Sequence, residues 1–412
     1  MSVWHLAWEY PPLVHGGLGR HVDALVAAQR DAGLDVGVLT CRDDVTGAST
    51  TTPLQHELLG RRRGRGGLEV VRVGLGHPWS DIVADAAAWQ DALVESVEAA
   101  GPVRTAVTGA QVLHAHDWMV ADAAERLSQT FAVPWVLTVH ATEHGRRQGR
   151  LDEPVHRAVH AAEQRAVGAA DRTIVCSPAM RAEVTDVLGA DPSSVVVVPG
   201  AVDAAAWSPA PAARVVASRR WRSAPGPLVV AAGRLEWEKG FTTLLRAVAQ
   251  VRATHPLLRT VIAGAGSYRG TLQALAADLG LSSAGGAAVR LPGRLDPPEL
   301  AALMAVADVV VVPSRYEPFG LVALEAMAAG TCVVVTGTGG LTETVQDDVT
   351  GRVVGVGDVD GLAATLAGLL ADRTTRDRLA EAGQRAARER GWSTAARQTL
   401  GVYASLLGAT PG

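Results

Sequence analysis

The residues best equipped for chemistry lie in Pro313-Ser-Arg-Tyr-Glu-Pro-Phe-Gly-Leu-Val-Ala-Leu-Glu-Ala-Met-Ala-Ala-Gly330, which carries Glu317 and Glu325 around a predicted strand-to-helix turn. The β-branched run Val309–Val312 before it reads as a buried parallel strand, and the helix formers after it run as far as Gly330. A helix opening near Phe319-Gly320 leaves the N–H groups of Phe319, Gly320, Leu321 and Val322 without intrahelical partners. Together with the helix dipole they suit a phosphate. Carboxylates repel phosphate, so Glu317 and Glu325 are better suited to the hydroxyls of a sugar or ribose attached to it. The plainer alternative makes Glu317 a turn residue and Glu325 a solvated helix position. Against it, Glu325 sits among Ala323, Leu324, Ala326, Met327 and Ala328, where a buried charge without a partner is costly.

A second group is Gly233-Arg234-Leu-Glu-Trp-Glu-Lys239-Gly240, between a predicted strand and a helix starting near Phe241. Arg234 can bind two oxygens at once and Lys239 acts as a compact charge, so the pair suits a diphosphate. The competing reading pairs them with Glu236 and Glu238 as surface ion pairs. Gly264-Ala-Gly266 ends the next strand and could approach a nucleotide, although this short pattern discriminates poorly. Near the N-terminus, Gly16-Gly17-Leu-Gly19 follows the first strand; its glycines allow close backbone approach to a ligand, or simply a tight turn.

His114-Ala-His116-Asp117-Trp118 and His140-Ala-Thr-Glu143-His144 close two further strands, which places them on a ligand-binding rim. Polar contacts to sugar hydroxyls, with Trp118 offering a flat face to a pyranose, are one reading. A metal cluster from His116, Asp117, His140 and His144 is another, but no spacing matches a zinc or two-metal signature. In a third, His114 and Asp117 serve as core and cap residues. Asp358-Val-Asp360 is rejected as a metal motif, because it opens a predicted helix as an N-cap and a first-turn acid.

The elements that must position these residues alternate along the chain. Strand-like runs at 3–8, 36–40, 70–73, 112–115, 135–140, 173–176 and 195–198 are separated by helix-like stretches. The alternation restarts at 228–232 and continues at 260–263, 289–291, 309–312, 333–336 and 353–354. This is the pattern of two doubly wound α/β halves with parallel sheets, whose ligands bind outside the carboxyl ends of the strands. The expected domains are 1–206 and 228–391, with a Pro- and Arg-rich linker at 207–227. A last helix near 393–407 is expected to pack back on the first half. The arginine-glycine segment at 60–67 reads as a surface loop rather than a nucleic-acid contact.

At 412 residues, two cores are expected. A net charge of -4 and a pI near 6.3 argue against wrapping nucleic acid or holding anionic lipid, which leaves small molecules or neutral polymers as partners. The odd, scattered cysteines Cys41, Cys176 and Cys332 suit reduced thiols. With no signal-peptide pattern and no apolar run of membrane-spanning length, a cytoplasmic setting is expected.

Assembled, these motifs resemble retaining glycosyltransferases of family 4: the double glycine, His-Ala-His-Asp-Trp, His140, Arg234 with Lys239, the Glu317-x7-Glu325 element and Gly339-Gly340-Leu-x-Glu343. Glu9-Tyr-Pro-Pro, Gly-Gly-Leu-Gly-Arg-His-Val and Thr-x-His-Ala-Thr-Glu are further similar to actinobacterial α-1,4-glucosyltransferases that build glycogen or methylglucose polysaccharides. The resemblance implies a GT-B fold, two Rossmann-like domains facing a central cleft, with the nucleotide sugar mainly against the C-terminal one. It implies that Arg234 and Lys239 hold the diphosphate, approached by Gly16, Gly17 and the amides of Phe319, Gly320, Leu321 and Val322. Glu317 would take donor-sugar hydroxyls and Glu325 the ribose, with Gly266, Arg294 and Leu295 around the nucleotide. His140 would bond the transferred sugar near its reacting carbon, with Asp117 and Trp118 near donor or acceptor glucose.

The implied co-substrate is UDP- or ADP-glucose, and the implied acceptor an α-1,4-glucan or maltooligosaccharide. The family's same-face substitution needs no metal and no other cofactor. The related synthases carry a Lys before the double glycine, where this chain has Leu13-Val14-His15, so the choice of base stays open. So does the oligomeric state, a homodimer included. Other readings are transfer of mannose or N-acetylglucosamine to a lipid or inositol acceptor, a GT-B sugar-nucleotide epimerase, and a non-catalytic nucleotide-sugar sensor. No basic amphipathic helix supports a lipid acceptor.

Overall fold

The computed structural model describes residues 1–14, 16–41, 54–59, 68–74, 81–99, 104, 107–222, 225–282 and 288–408. His15 and the arginine-glycine segment lie outside the described residues. The chain divides into two compact units, Met1–Pro199 with Trp392–Gly412, and Gly200–Gly391.

The first unit holds an eight-stranded sheet built from β1 (Ser2–Ala7), β2 (Asp35–Cys41), β3 (Leu54–Leu59), β4 (Leu68–Val73), β5 (Val112–His116), β6 (Trp135–Val139), β7 (Arg172–Val175) and β8 (Val195–Val197), in the order β3-β4-β2-β1-β5-β6-β7-β8. All neighbours are parallel except β3 and β4. The edge strand β3 was not anticipated. Its sequence, Leu-Gln-His-Glu-Leu-Leu, lacks the β-branched run that marks a buried strand.

The second unit holds a wholly parallel sheet of β9 (Leu228–Ala232), β10 (Arg259–Ala263), β11 (Val289–Gly293), β12 (Val309–Val312), β13 (Val333–Thr336) and β14 (Arg352–Val354), in the order β11-β10-β9-β12-β13-β14. The Val-rich strands are buried on both faces, as a parallel sheet under helices requires. Leu244, Leu245 and Val248 of helix Phe241–Val251 join Leu362 and Leu366 of helix Val359–Ala371 over Val229, Val309 and Val311. Each fully buried Leu or Val contributes about 1.5–3 kcal/mol. Within the stretch read as a linker, Pro211–Trp221 forms a helix inside the second unit, packed on helix Pro297–Ala305.

Both sheets change winding direction at one place. In the first, the chain builds outward from β1 through β2 and β4, then returns to lay β5 on the other side of β1. In the second, β12 returns beside β9 after β10 and β11. Loops leaving the carboxyl ends of two such strands diverge and open a crevice. The loops after β1 and β5 carry Gly16, Gly17, Asp117 and Trp118, and those after β9 and β12 carry Arg234, Lys239 and Glu317, whereas His140, Gly266 and Arg294 follow β6, β10 and β11. Asp358 caps helix Val359–Ala371 through Gly361 N–H at 2.8 Å, and Asp360 accepts from Gln250 at 2.9 Å, which leaves this pair a structural role.

A candidate sugar-nucleotide site

In the second unit, the loop after β9 ends in a short 3-10 turn, Trp237–Lys239, and Gly240 at φ 66° opens helix Phe241–Val251. The loop after β12 ends at Gly320, φ 94°, which opens helix Leu321–Ala328. The two loops are tied together by their backbones. The carbonyl of Glu238 accepts from Arg315 N–H at 2.7 Å, and a Cβ on Gly240 would lie 1.9 Å from the carbonyl oxygen of Pro313. Gly240 therefore serves both the left-handed turn and the close approach.

This seam brings the predicted charges onto one rim. Lys239 Nζ lies 2.9 Å from Glu317 Oε2, with both side chains mostly buried, and Ser314 Oγ donates to the same oxygen at 3.1 Å. Arg234 Nη2 pairs with Glu238 Oε1 at 2.9 Å while half its side chain stays exposed. Of the ion pairs weighed from sequence, Arg234 with Glu238 forms. Glu236 instead accepts from Ser267 N–H at 2.9 Å and Oγ at 2.6 Å. The N–H groups of Phe319, Gly320, Leu321 and Val322 have no protein acceptor among the described residues, as the start of a helix dictates.

The 317–320 turn is held from behind by Gly339-Gly340. Gly340 N–H donates to Glu317 O at 3.0 Å, and a Cβ on Gly339 would meet that same oxygen at 2.2 Å. Gly266 is also a close-approach glycine, since a Cβ there would lie 2.4 Å from Leu235 O. Glu325 is 4% exposed in helix Leu321–Ala328, and Arg294 and Leu295 follow β11, the Arg exposed.

The first unit presents a different chemistry. Parallel register sets His5 beside His114 and Ala7 beside His116, so the three imidazoles share one face of the sheet. They form part of a buried polar chain. Tyr403 Oη meets His114 Nδ1 at 2.6 Å, and Gln29 Nε2 donates to Tyr403 Oη at 3.0 Å. Gln29 Oε1 meets His5 Nε2 at 2.8 Å, His5 Nδ1 meets His116 Nε2 at 3.0 Å, and His116 Nδ1 meets His140 Nε2 at 3.1 Å. His114 Nε2 meets Thr138 Oγ1 at 2.6 Å.

Burial pushes these rings toward neutrality. His5 falls to about 4 and His140 to about 3, mainly through desolvation, while His21, His114 and His116 are lowered well below the ordinary value by burial and by one another. His114 thus belongs to the core rather than the rim, a correction to the sugar-contact reading. Sequence reasoning missed His5, Gln29, His21 and Tyr403. The one available signal was a polar side chain, His5, inside the apolar first strand.

Asp117 sits at φ 64° and accepts His140 N–H at 2.7 Å. Burial raises its carboxyl to about 6, against the pull of Arg146 and the His140 and Ala141 amides. It fixes the backbone of His140, with half-buried Trp118 next in the chain. Gly16 caps helix Gly17–Asp31, and its N–H donates to Glu9 Oε2 at 3.1 Å, so a carboxylate of the protein itself stands at this amide. Glu163 is raised to about 8, chiefly by burial, while receiving the Glu143 amide at 2.8 and 3.1 Å. Among the described residues, the group whose ligand atoms lie close enough to share an ion is His5, His114 and His116, not the set weighed from sequence. Each of their ring nitrogens already has a hydrogen-bond partner.

Two parallel α/β units, each with its motifs at a topological switch point, are the framework of GT-B glycosyltransferases. The chain matches the sucrose-phosphate synthase of Thermosynechococcus elongatus with a TM-score of 0.81 at 24% identity, covering 99% of this chain and 100% of that one. Residues 15–206 match the family described as Glycosyltransferase Family 4, and residues 219–386 that described as Glycosyl transferases group 1. Over 98% of its length the chain is 39% identical to a glycogen synthase of Mycobacterium tuberculosis, covering 94% of that protein. It is 31% identical to an alpha-maltose-1-phosphate synthase of the same organism, over 98% of this chain and 99% of that one. The chain belongs to glycosyltransferase family 4.

Proposed function

We propose that this glycosyltransferase moves glucose, with retention of the α configuration, from UDP- or ADP-glucose to the non-reducing end of an α-1,4-glucan. The observation that carries the reading is the end-to-end identity of 39% to a glycogen synthase. The chemistry of the second unit supports it. Arg234 and Lys239 would hold the donor diphosphate together with the amides of Phe319 to Val322. Glu317, exchanging Lys239 for the donor, would accept from sugar hydroxyls. Glu325 would take the ribose, with Gly266, Arg294 and Leu295 around the nucleotide. In the first unit His140 would hydrogen-bond the transferred sugar, Asp117 would hold His140 in place, and Trp118 and the Gly16-Gly17 turn would contribute contact surface.

Departure of the diphosphate builds negative charge that fixed cations and aimed amides stabilise more strongly than they stabilise the bound donor. In the same-face route, the bond from the anomeric carbon to phosphate oxygen breaks as the acceptor oxygen attacks from the same side. The departing phosphate oxygen takes the acceptor proton, and no group of the protein becomes covalently attached.

The 31% identity to an alpha-maltose-1-phosphate synthase favours one second reading, in which the acceptor is a sugar phosphate. Maltoheptaose and glucose 1-phosphate, each offered with UDP-glucose and with ADP-glucose, separate the two. The proposal expects lengthened maltooligosaccharides as the main product. A disaccharide phosphate formed at higher kcat/KM would replace it with the second reading.

A further inference from the structure

The buried chain in the first unit has a property that no single residue in it shows. Its members are joined nitrogen to nitrogen or through one amide: Gln29 to His5, His5 to His116, and His116 to His140. Between two neutral imidazoles exactly one carries the shared proton, and a neutral ring that donates at one nitrogen accepts at the other. The amide of Gln29 breaks the symmetry, because its Nε2 donates to Tyr403 Oη and its Oε1 is left to accept. His5 must then carry its proton on Nε2 and accept at Nδ1. His116 in turn donates from Nε2 and accepts at Nδ1, and His140 donates from Nε2. On the other arm, Tyr403 spends its proton on His114 Nδ1, so His114 donates from Nε2 to Thr138. The low proton affinity that burial imposes keeps the rings neutral near pH 7, which the alternation requires.

We propose that Gln29, anchored by Tyr403, is a positioning residue that fixes the tautomer of His140, holding its proton on Nε2 and leaving Nδ1 as a hydrogen-bond acceptor. His140 is the least buried ring of the chain, and no protein group among the described residues bonds its Nδ1. An acceptor there selects a donor, such as a sugar hydroxyl, over another acceptor. That last step rests on the role proposed above for His140; the tautomer assignment does not. Turning the Gln29 amide over would reverse every proton in the chain, so polarity is one collective property with two values.

The test is long-range proton–nitrogen NMR of the full chain labelled with 15N-histidine at pH 7.5, read with donor kinetics. The wild-type spectrum is expected to show His5, His114, His116 and His140 all protonated on Nε2. In Gln29→Glu, a carboxylate accepts from both His5 and Tyr403, so Tyr403 must accept from His114. The proton of His114 alone is then expected to move to Nδ1. In Gln29→Leu the polarity is unpinned, and kcat is expected to fall about tenfold with donor KM within twofold, partly recovered in Gln29→Glu. Wild-type His140 protonated on Nδ1, a mixture of tautomers, or stoichiometric zinc uptake shifting the ring nitrogens would overturn the assignment. The expected wild-type spectrum with unreduced kcat in a folded Gln29→Leu would overturn the positioning role, and the fault would then lie with the reading of His140.

Discussion

At the scale of single residues, the second unit pairs the two charges on which the proposed donor site depends. Lys239 and Glu317 satisfy each other at 2.9 Å while mostly buried, so neither waits as an uncompensated charge. Under the proposed function, a diphosphate would replace Glu317 at Lys239 and release the carboxylate for hydroxyls. Lys239→Ala and Glu317→Gln are each expected to lower kcat for transfer at least about a hundredfold without loss of fold, as removal of one group that stabilises developing charge often does. Because the two act as a pair, the double variant should lose much less than the product of the single losses, which steady-state rates would reveal. The positions of Arg234, Lys239 and Glu317 at strand ends were legible in the sequence. Their pairing was only half legible: Arg234 and Glu238 are four residues apart, whereas Lys239 meets Glu317 only because β9 and β12 are neighbours in the sheet.

At the scale of elements, glycines decide how closely the loops approach. Gly240→Ala puts a Cβ at φ 66° against the Pro313 carbonyl, 1.9 Å away, and backbone cannot yield as a flexible side chain can. The cost is expected to be about 1–3 kcal/mol, read as a lowered Tm, with activity falling further because Lys239 is the preceding residue. The strands of both sheets were readable because buried parallel strands are continuous runs of Val, Ile and Leu. Two elements were not. The edge strand β3 has no β-branched run, and helix Pro211–Trp221 was hidden by its own start signal, since the proline that punctuates a linker also fits the first turn of a helix.

At the scale of the molecule, the first unit is built around histidines that must stay neutral, and this sets its response to pH. In the unfolded chain, His5, His21, His114, His116 and His140 take up protons near pH 6.5; in the fold they do so only well below it. Below pH 6.5 the unfolded state therefore binds more protons, and stability present above that value is lost as the pH falls, by about 1.4 kcal/mol per pH unit for each excess proton. Asp117 and Glu163 act in the opposite sense. Folded, they hold protons to about 6 and about 8, so their contribution is lost as the pH rises through those values. Calorimetry across pH should place the highest Tm between about pH 6.5 and 8, with the steeper fall on the acid side; a flat acid limb would contradict neutral burial of the chain. His114, His116 and His140 stood out in the sequence as strand-end residues, but the chain they form was not legible, because it joins β1, β5 and β6 to helices Gly17–Asp31 and Trp392–Leu406 with a separation of 374 residues from Gln29 to Tyr403.

What is made when a nucleotide-glucose is consumed tests the proposed function most directly. With maltoheptaose as acceptor, each nucleoside diphosphate released should match one new α-1,4-linked glucosyl residue in the anomeric proton spectrum, and Lys239→Ala should suppress both together. Release of diphosphate without a new glycosidic bond, or a new linkage of β configuration, would contradict it.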